Sequence, residues 1–493
     1  MSAVRLLAAA LAGALAGCAL LPSEAPSTAV QACRDWYAEM DAAIDAAGVR
    51  DAQETRIASF PYLRIDRAHA ALRDRAATSE AALHAFADAL LDLDLRARRL
   101  ELRNLARSAN EAQEAFQRSV NCGRLLRELD VAKPERRSAL LAAARVPDDY
   151  SGAARAAGLY PLTRIPFIRG VRQWEAEVRA AFAGARRGED AVVRYAPPAG
   201  PEAPSRGAVA AMLARAAAAD PLGRPRLSER EVREVALAYA PSFEVEVRAD
   251  YDRFGALRWR RGAGVPEVDG ADLAVYIQAA YTRYADGPQD RILLQLVYTL
   301  WFPERPPLEE GDLLAGRLDG LVWRVTLAPD GEPLLYDAMH PCGCYHMFFP
   351  TPRAVLRPAP DPAEEWAFVP AALPRVAPGE RPRLRLASAT HALEGVALVR
   401  GADSLVRYEL RDYDELRSLR RLDGSGHRSA FGPDGLVAGT ERAERFLFWP
   451  MGIRSAGAMR QWGRHATAFV GRRHFDDADL VARRFALDLG DRR

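Results

Sequence analysis

His340, Cys342, Cys344 and His346 recur at every second position of the segment DAMHPCGCYHMFFPTP, the densest group of reactive side chains in the chain. Two thiolates and two imidazoles form a ligand set for zinc, soft enough to suit another transition metal such as copper or iron. In an extended strand this spacing puts all four side chains on one face, whereas Pro341 and Gly343 favour a bend. Structural zinc sites usually separate paired cysteines by about two to four residues, and Cys-Gly-Cys is tighter than that. Three readings therefore stand side by side: a metal site on His340, Cys342, Cys344 and His346, a thiol–disulfide pair of Cys342 and Cys344, and a packed loop without chemistry.

A second group lies near the C-terminus, where His465 and His474 are followed by Asp476 and Asp477. A His-x-Asp-Asp run suits metal binding or general acid–base work; it equally suits a loop in which Asp476 caps a final helix beginning near Ala478. If His474 and Asp476 reach the 340–346 region, the β-rich parts of the chain share one cleft, and Arg464, Arg472 and Arg473 are available to an anionic substrate. No Walker loop, zinc-protease His-Glu-x-x-His or nucleophile elbow occurs.

The N-terminus speaks to compartment. Arg5 precedes an unbroken run of Leu, Ala and Gly from Leu6 to Leu15, too short to span a bilayer and of signal-peptide length. It closes on Leu15-Ala16-Gly17-Cys18, which resembles the lipobox of bacterial lipoprotein precursors. The resemblance implies that residues 1–17 are a removed signal peptide and that Cys18 becomes the lipidated N-terminus, with several acyl chains making a lasting membrane anchor. Ala19, where inner-membrane lipoproteins carry Asp, implies the outer membrane, periplasmic face. Residues 18–31 then read as a tether, small, polar and Pro-containing. In the oxidising periplasm, Cys33 and Cys122 are expected to pair as a disulfide across the helical region.

Composition bounds the rest. The 493 residues are 49% hydrophobic and 27% charged, which suits a large folded body rather than disorder. Basic and acidic residues number 68 and 66, and Lys133 is the single lysine. This near balance removes the electrostatic footprint of a nucleic-acid binder.

Pattern divides the body into three stretches. Residues 32–205 read as mainly helical: Leu83, Phe86, Leu90, Leu93, Ala97 and Leu100 alternate spacings of three and four, and Val146-Pro147 stops the pattern. A further helix is expected around Trp174, and Ala196 to Pro204 reads as a linker. In residues 228–355 the period becomes two. Ile292 to Phe302 is a long strand ending at Pro303, and Leu321 to Leu327 turns through Ala328–Pro333 into Leu334 to Met339, within a meander of four or five antiparallel strands. Residues 356–493 read as a second β-rich stretch, with strands near Val396 to Val399, Ser404 to Leu410 and Arg445 to Trp449. The expected class is α+β, a helical N-terminal module followed by antiparallel β-rich modules.

The Cys/His segment, the strand LVYTLWFPERP and the C-terminal AMRQWGRHATAFVGRRHFDD together resemble a group of uncharacterised proteobacterial envelope lipoproteins. The likeness covers residues 240 to 480 and extends loosely to FPYLRIDR, Phe60 to Arg67. It implies an envelope location and brings no activity with it. The expected function is binding of a small molecule or an envelope protein, with the Cys/His segment supporting the site. The alternative is an envelope enzyme, either a metal-dependent hydrolase or a thiol oxidoreductase.

Overall fold

The computed structural model describes residues 24–184, 191–198, 203–259, 262, 264–287, 289–401, 406–424 and 426–490. The signal segment 1–17, Cys18 and the first part of the tether lie outside these residues, as do parts of the expected linker and of the strand expected from Ser404. The fold is α+β, as its patterning requires.

Three long helices, Glu24–Ala46, Glu80–Leu105 and Ala109–Val131, build the N-terminal part. Residues 24–31, expected as tether, are already helical. Leu83, Phe86, Leu90, Ala97 and Leu100 are buried, so the stripe read from the sequence is the packing face. Ser79 and Ser108 accept bonds from Ala82 N–H and Glu111 N–H, satisfying donors that a helix start leaves open. The Cys33–Cys122 disulfide joins the first and third helices, with Cα atoms 5.1 Å apart. Closing so long a loop in the unfolded chain stabilises the fold by roughly 4–5 kcal/mol. FPYLRI, which the sequence placed in a helical region, is instead the strand Phe60–Ile65, paired with Thr55–Ile57. Pro61 disfavours the helical conformation in Phe60 before it, and the sheet form buries Tyr62, Leu63 and Ile65.

The central feature is a six-stranded sheet. Ala274–Asp286, Gln289–Arg305, Gly316–Leu327, Pro333–Met339 and Met347–Pro350 follow one another as an antiparallel meander, and Glu409–Asp412 adds in parallel to the first edge. The long strand does not stop at Pro303. Phe302 pairs with Asp319 and Glu304 with Arg317, so the missing N–H falls between paired positions. A second, mixed sheet orders Leu393–Arg400, Glu380–Leu386, Ser242–Glu246, Val192–Ala196 and Val406–Arg407. Strands from all three sequence stretches thus share this sheet. Phe243, Val245, Leu384 and Leu386 from it meet Leu296, Tyr298, Trp323 and Val325 from the meander in the largest apolar core.

The C-terminal part departs most from expectation. Arg445 to Trp449 is no strand: Arg445–Phe448 is a short helix running into the 3-10 turn Trp449–Met451. An apolar run without a period does not distinguish helix from strand, and among the described residues no strand pairs with it. The final helix is Leu480–Arg484, and Asp479, not Asp476, stands before it. No helix among the described residues is long and apolar enough to cross a membrane.

Candidate functional site

The Cys/His segment is the connection between Pro333–Met339 and Met347–Pro350. It is a closed turn: His340 N–H donates to Cys344 O at 3.0 Å, and Gly343 N–H to His340 O at 2.8 Å. Gly343 sits at φ +90°, and a Cβ there would come within 2.5 Å of Ala466 O. Only glycine meets both demands. The turn therefore splays the four side chains that an extended strand would align. His340 Nδ1 faces Asp319 at 3.0 Å, while His346 Nε2 faces Asp337 at 2.9 Å. Among the described residues no three His, Cys, Asp or Glu side chains stand together as a set able to hold a metal ion. The ligand set His340, Cys342, Cys344 and His346 is not assembled, because each imidazole is committed to its own buried carboxylate.

The two thiols stay together. Both are free, Cys342 buried and Cys344 half-buried, and Cys344 N–H points at Cys342 Sγ, 3.4 Å away. Burial would push the Cys342 thiol up, but its hydrogen bond with Cys344 and the nearby Arg442 guanidinium bring it below the usual thiol range. Cys344 moves the opposite way, held up by that hydrogen bond and by burial. The pair releases its first proton readily and its second reluctantly.

Both thiols face a cavity of about 470 Å³. Six separate stretches wall it, Leu314 being one by itself. Phe167, Val171 and Trp174 come from the helix Tyr160–Ala183; Trp366 and Phe368 follow the mixed-sheet approach; Phe448 and Ile453 come from the 444–457 segment; Ala466, Ala468 and Phe469 from the C-terminal loop; and the Cys-Gly-Cys turn closes the floor. Trp174 packs its ring 5.5 Å from Tyr345 and 5.1 Å from Phe368. Polar groups are few. Arg473 and Glu365 pair at 3.4 Å, and Glu365 also accepts from the backbone N–H groups of Phe469 and Val470. Glu444 stands at the side of the thiols, its carboxyl pushed up to about 7 by burial that Arg442 and Arg305 only partly offset. A side chain on Gly457 would collide with that carboxylate, so the backbone there leaves its place open.

Of the C-terminal candidates, His465 reaches this site. Its Nε2 lies 3.1 Å from Pro341 O, and burial keeps the imidazole neutral with its pKa lowered to about 3. His346 is likewise lowered to about 3 by burial. His474 and Asp476 turn away: His474 lies 3.4 Å from Asp148 and 3.5 Å from Asp149, and Asp476 pairs with Arg67 at 3.3 Å. Arg464 and Arg472 pair with Asp149 and Asp148, leaving Arg473 as the arginine of that group that lines the cavity. Sequence reasoning missed Glu444 and Glu365, which carry no motif, and although it expected the helix around Trp174 it did not place that helix over the thiols. A weak signal existed in the helix around Trp174, whose Phe167, Val171, Trp174 and Val178 share one face.

No protein family, curated protein or solved structure matches the chain.

Proposed function

We propose that the protein is a lipid-anchored envelope protein, held through Cys18 at the periplasmic face of the outer membrane, that binds an apolar small molecule in the cavity beneath the helix Tyr160–Ala183. One observation carries the reading: a cavity of about 470 Å³ with aromatic and aliphatic walls and a few convergent polar groups. That size and lining are those of ligand pockets rather than of packing defects, which in protein interiors are few and small. Glu444, poised near neutral pH, stands where it can orient a polar end of the ligand.

Gly170 supplies the test. It lines the cavity, lies within the covering helix, and a Cβ there meets nothing within 4 Å. Gly170→Trp should fill the cavity without disturbing the body around it, and replacing a helical glycine removes a conformational cost of roughly 0.5–1 kcal/mol. Displacement of a naphthalene-sulfonate dye, followed by fluorescence, should fall at least tenfold in affinity while thermal stability holds. Unchanged dye binding would reject the cavity as the site.

A second reading is favoured by the thiol pair itself. Cys342, with its lowered pKa and a vicinal Cys344 as resolving thiol, has the parts of a thiol–disulfide exchange centre opening onto the same cavity.

A further inference from the structure

The helix covering the cavity is poorly covered itself. Tyr160–Ala183 spans 24 residues, none of them buried. Its N-terminal end exposes Leu159, Leu162 and Ile165, at 62%, 65% and 46%. The segment beside it exposes Phe446, Leu447 and Trp449, at 68%, 55% and 44%. These six are more than half of the eleven large apolar side chains exposed among the described residues, where single scattered ones are the rule. They form one surface. Phe167 and Phe448 pack their rings 5.2 Å apart, Arg155 Nε donates to Met451 O at 2.8 Å, and Gly158 sits so close to Pro450 that a Cβ would overlap it. Pro166, Phe167 and Phe448 belong to the cavity wall as well, so the exposed surface is the rim of the cavity.

Charge points in one direction too. Residues 159–174 carry Arg164, Arg169 and Arg172 and residues 445–459 carry Arg445 and Arg454, with no Asp or Glu inside either segment, although Glu175 and Glu444 adjoin them and Arg454 pairs with Asp434 at 3.0 Å. Arg445 lies over the Phe446 ring at 4.8 Å. Long basic side chains flanking exposed Leu, Ile, Phe and Trp are the composition of a surface that enters the boundary between headgroups and acyl chains, with exposed arginines such as Arg169 and Arg172 reaching up to anionic lipid. A rigid protein partner laid over this rim would leave the cavity mouth as a void, whereas fluid hydrocarbon fills it.

We infer that this rim seats on an anionic lipid bilayer, so that the cavity opens into the acyl-chain layer and takes up one lipid hydrocarbon chain. The inference rests on the cavity reading for its ligand, and the contact with the bilayer is measurable without it.

The test places a benzophenone-bearing residue at position 447, with position 422, an exposed leucine outside the rim, as the control. The full chain is irradiated on vesicles of phosphatidylethanolamine and phosphatidylglycerol, and the adducts are identified by mass spectrometry. Phospholipid adducts should form at 447 at least about tenfold more often than at 422, a comparison that a membrane anchor elsewhere in the chain leaves intact. The variant L162S/I165S/F446S/L447S, with the label moved to position 449 and compared with the same label in the otherwise unchanged chain, should lose most of that preference, as should vesicles without phosphatidylglycerol. Adducts to a second copy of the chain or to another polypeptide, or equal lipid labelling at the two positions, would overturn the inference. If Gly170→Trp abolishes dye binding while lipid labelling at 447 is absent, the cavity stands and the bilayer contact fails; the reverse result separates them the other way.

Discussion

Two buried regions of this protein hold charged groups, and they differ in what those groups have beside them. In the N-terminal part Arg64 lies 3.0 Å from Asp94 and 2.6 Å from Glu101, while Arg98 binds Asp94 at 2.9 Å and Asp41 at 3.0 Å. Arg417 joins this side from the C-terminal stretch, reaching Asp51 at 2.8 Å, Glu54 at 2.7 Å and Asp414 at 2.9 Å. Burial raises the Asp94 carboxyl, yet Arg98 and Arg64 hold it below the usual carboxylate range. Burial still pushes Glu54 up to about 7 against Arg417, and around the cavity most of the shifts run that way. Glu444 and Cys344 are raised, and His346 and His465 are lowered, each toward its neutral form. Strongly shifted groups in the first region are occupied with one another and fasten distant segments. In the second, Glu444, Cys344 and His346 border open volume, which is what a ligand requires.

Breaking the first region should have the largest effect. Arg417→Met leaves Asp51 and Glu54 buried without their shared cation, and removal of one partner from a buried ion pair costs about 3–5 kcal/mol. Urea unfolding should show that loss, with dye affinity of the folded protein unchanged. A parallel loss of dye binding would mean that the two regions are coupled and the contrast is false.

Glu444→Gln should act next, and only in part of the pH range. The folded-state carboxyl binds its proton more tightly than in the unfolded chain, so wild-type stability falls as pH rises from about 4.5, its ordinary value, to about 7. The variant should match wild type below pH 4.5 and exceed it above pH 7 by up to about 3 kcal/mol, at roughly 1.4 kcal/mol per pH unit. Equal stabilities at pH 5 and pH 8 would show that Glu444 is solvated, and that the cavity is not the low-dielectric space inferred here.

The smallest effect concerns the thiols. Cys344→Ala keeps the backbone N–H that points at Cys342 Sγ but removes the thiol hydrogen bond that favours the Cys342 thiolate, a contribution of about 0.5–1.5 kcal/mol. Alkylation of Cys342 at neutral pH should slow by about three- to tenfold, measured by mass spectrometry. An unchanged rate would deny the pair its mutual activation and with it the exchange-centre reading.

Much of the scaffold was legible in the sequence because it depends on local period. The 3.6-residue stripe of Leu83 to Leu100 and the alternation of Ile292 to Phe302 each name their own element, and the Ala328–Pro333 turn fixes the register of Pro333–Met339 on Gly316–Leu327. The Cys33–Cys122 pairing was legible because few cysteines were available to pair. Arg445–Phe448 was not, since a continuous apolar run fits a strand or a helix until its neighbours decide. The same limit governs the site. Sequence alone marked Cys342 and Cys344 as reactive, and it could not show whether His340 and His346 would join them. That was settled by Asp319 and Asp337, which reach the two imidazoles from positions 21 and 9 residues away, and by Ala466, whose carbonyl forces the turn. The cavity, with walls drawn from segments as far apart as Pro166 and Arg473, exists only in the tertiary structure. Spacing along a chain fixes which side chains share a face, but which faces meet depends on packing between elements that no local period encodes.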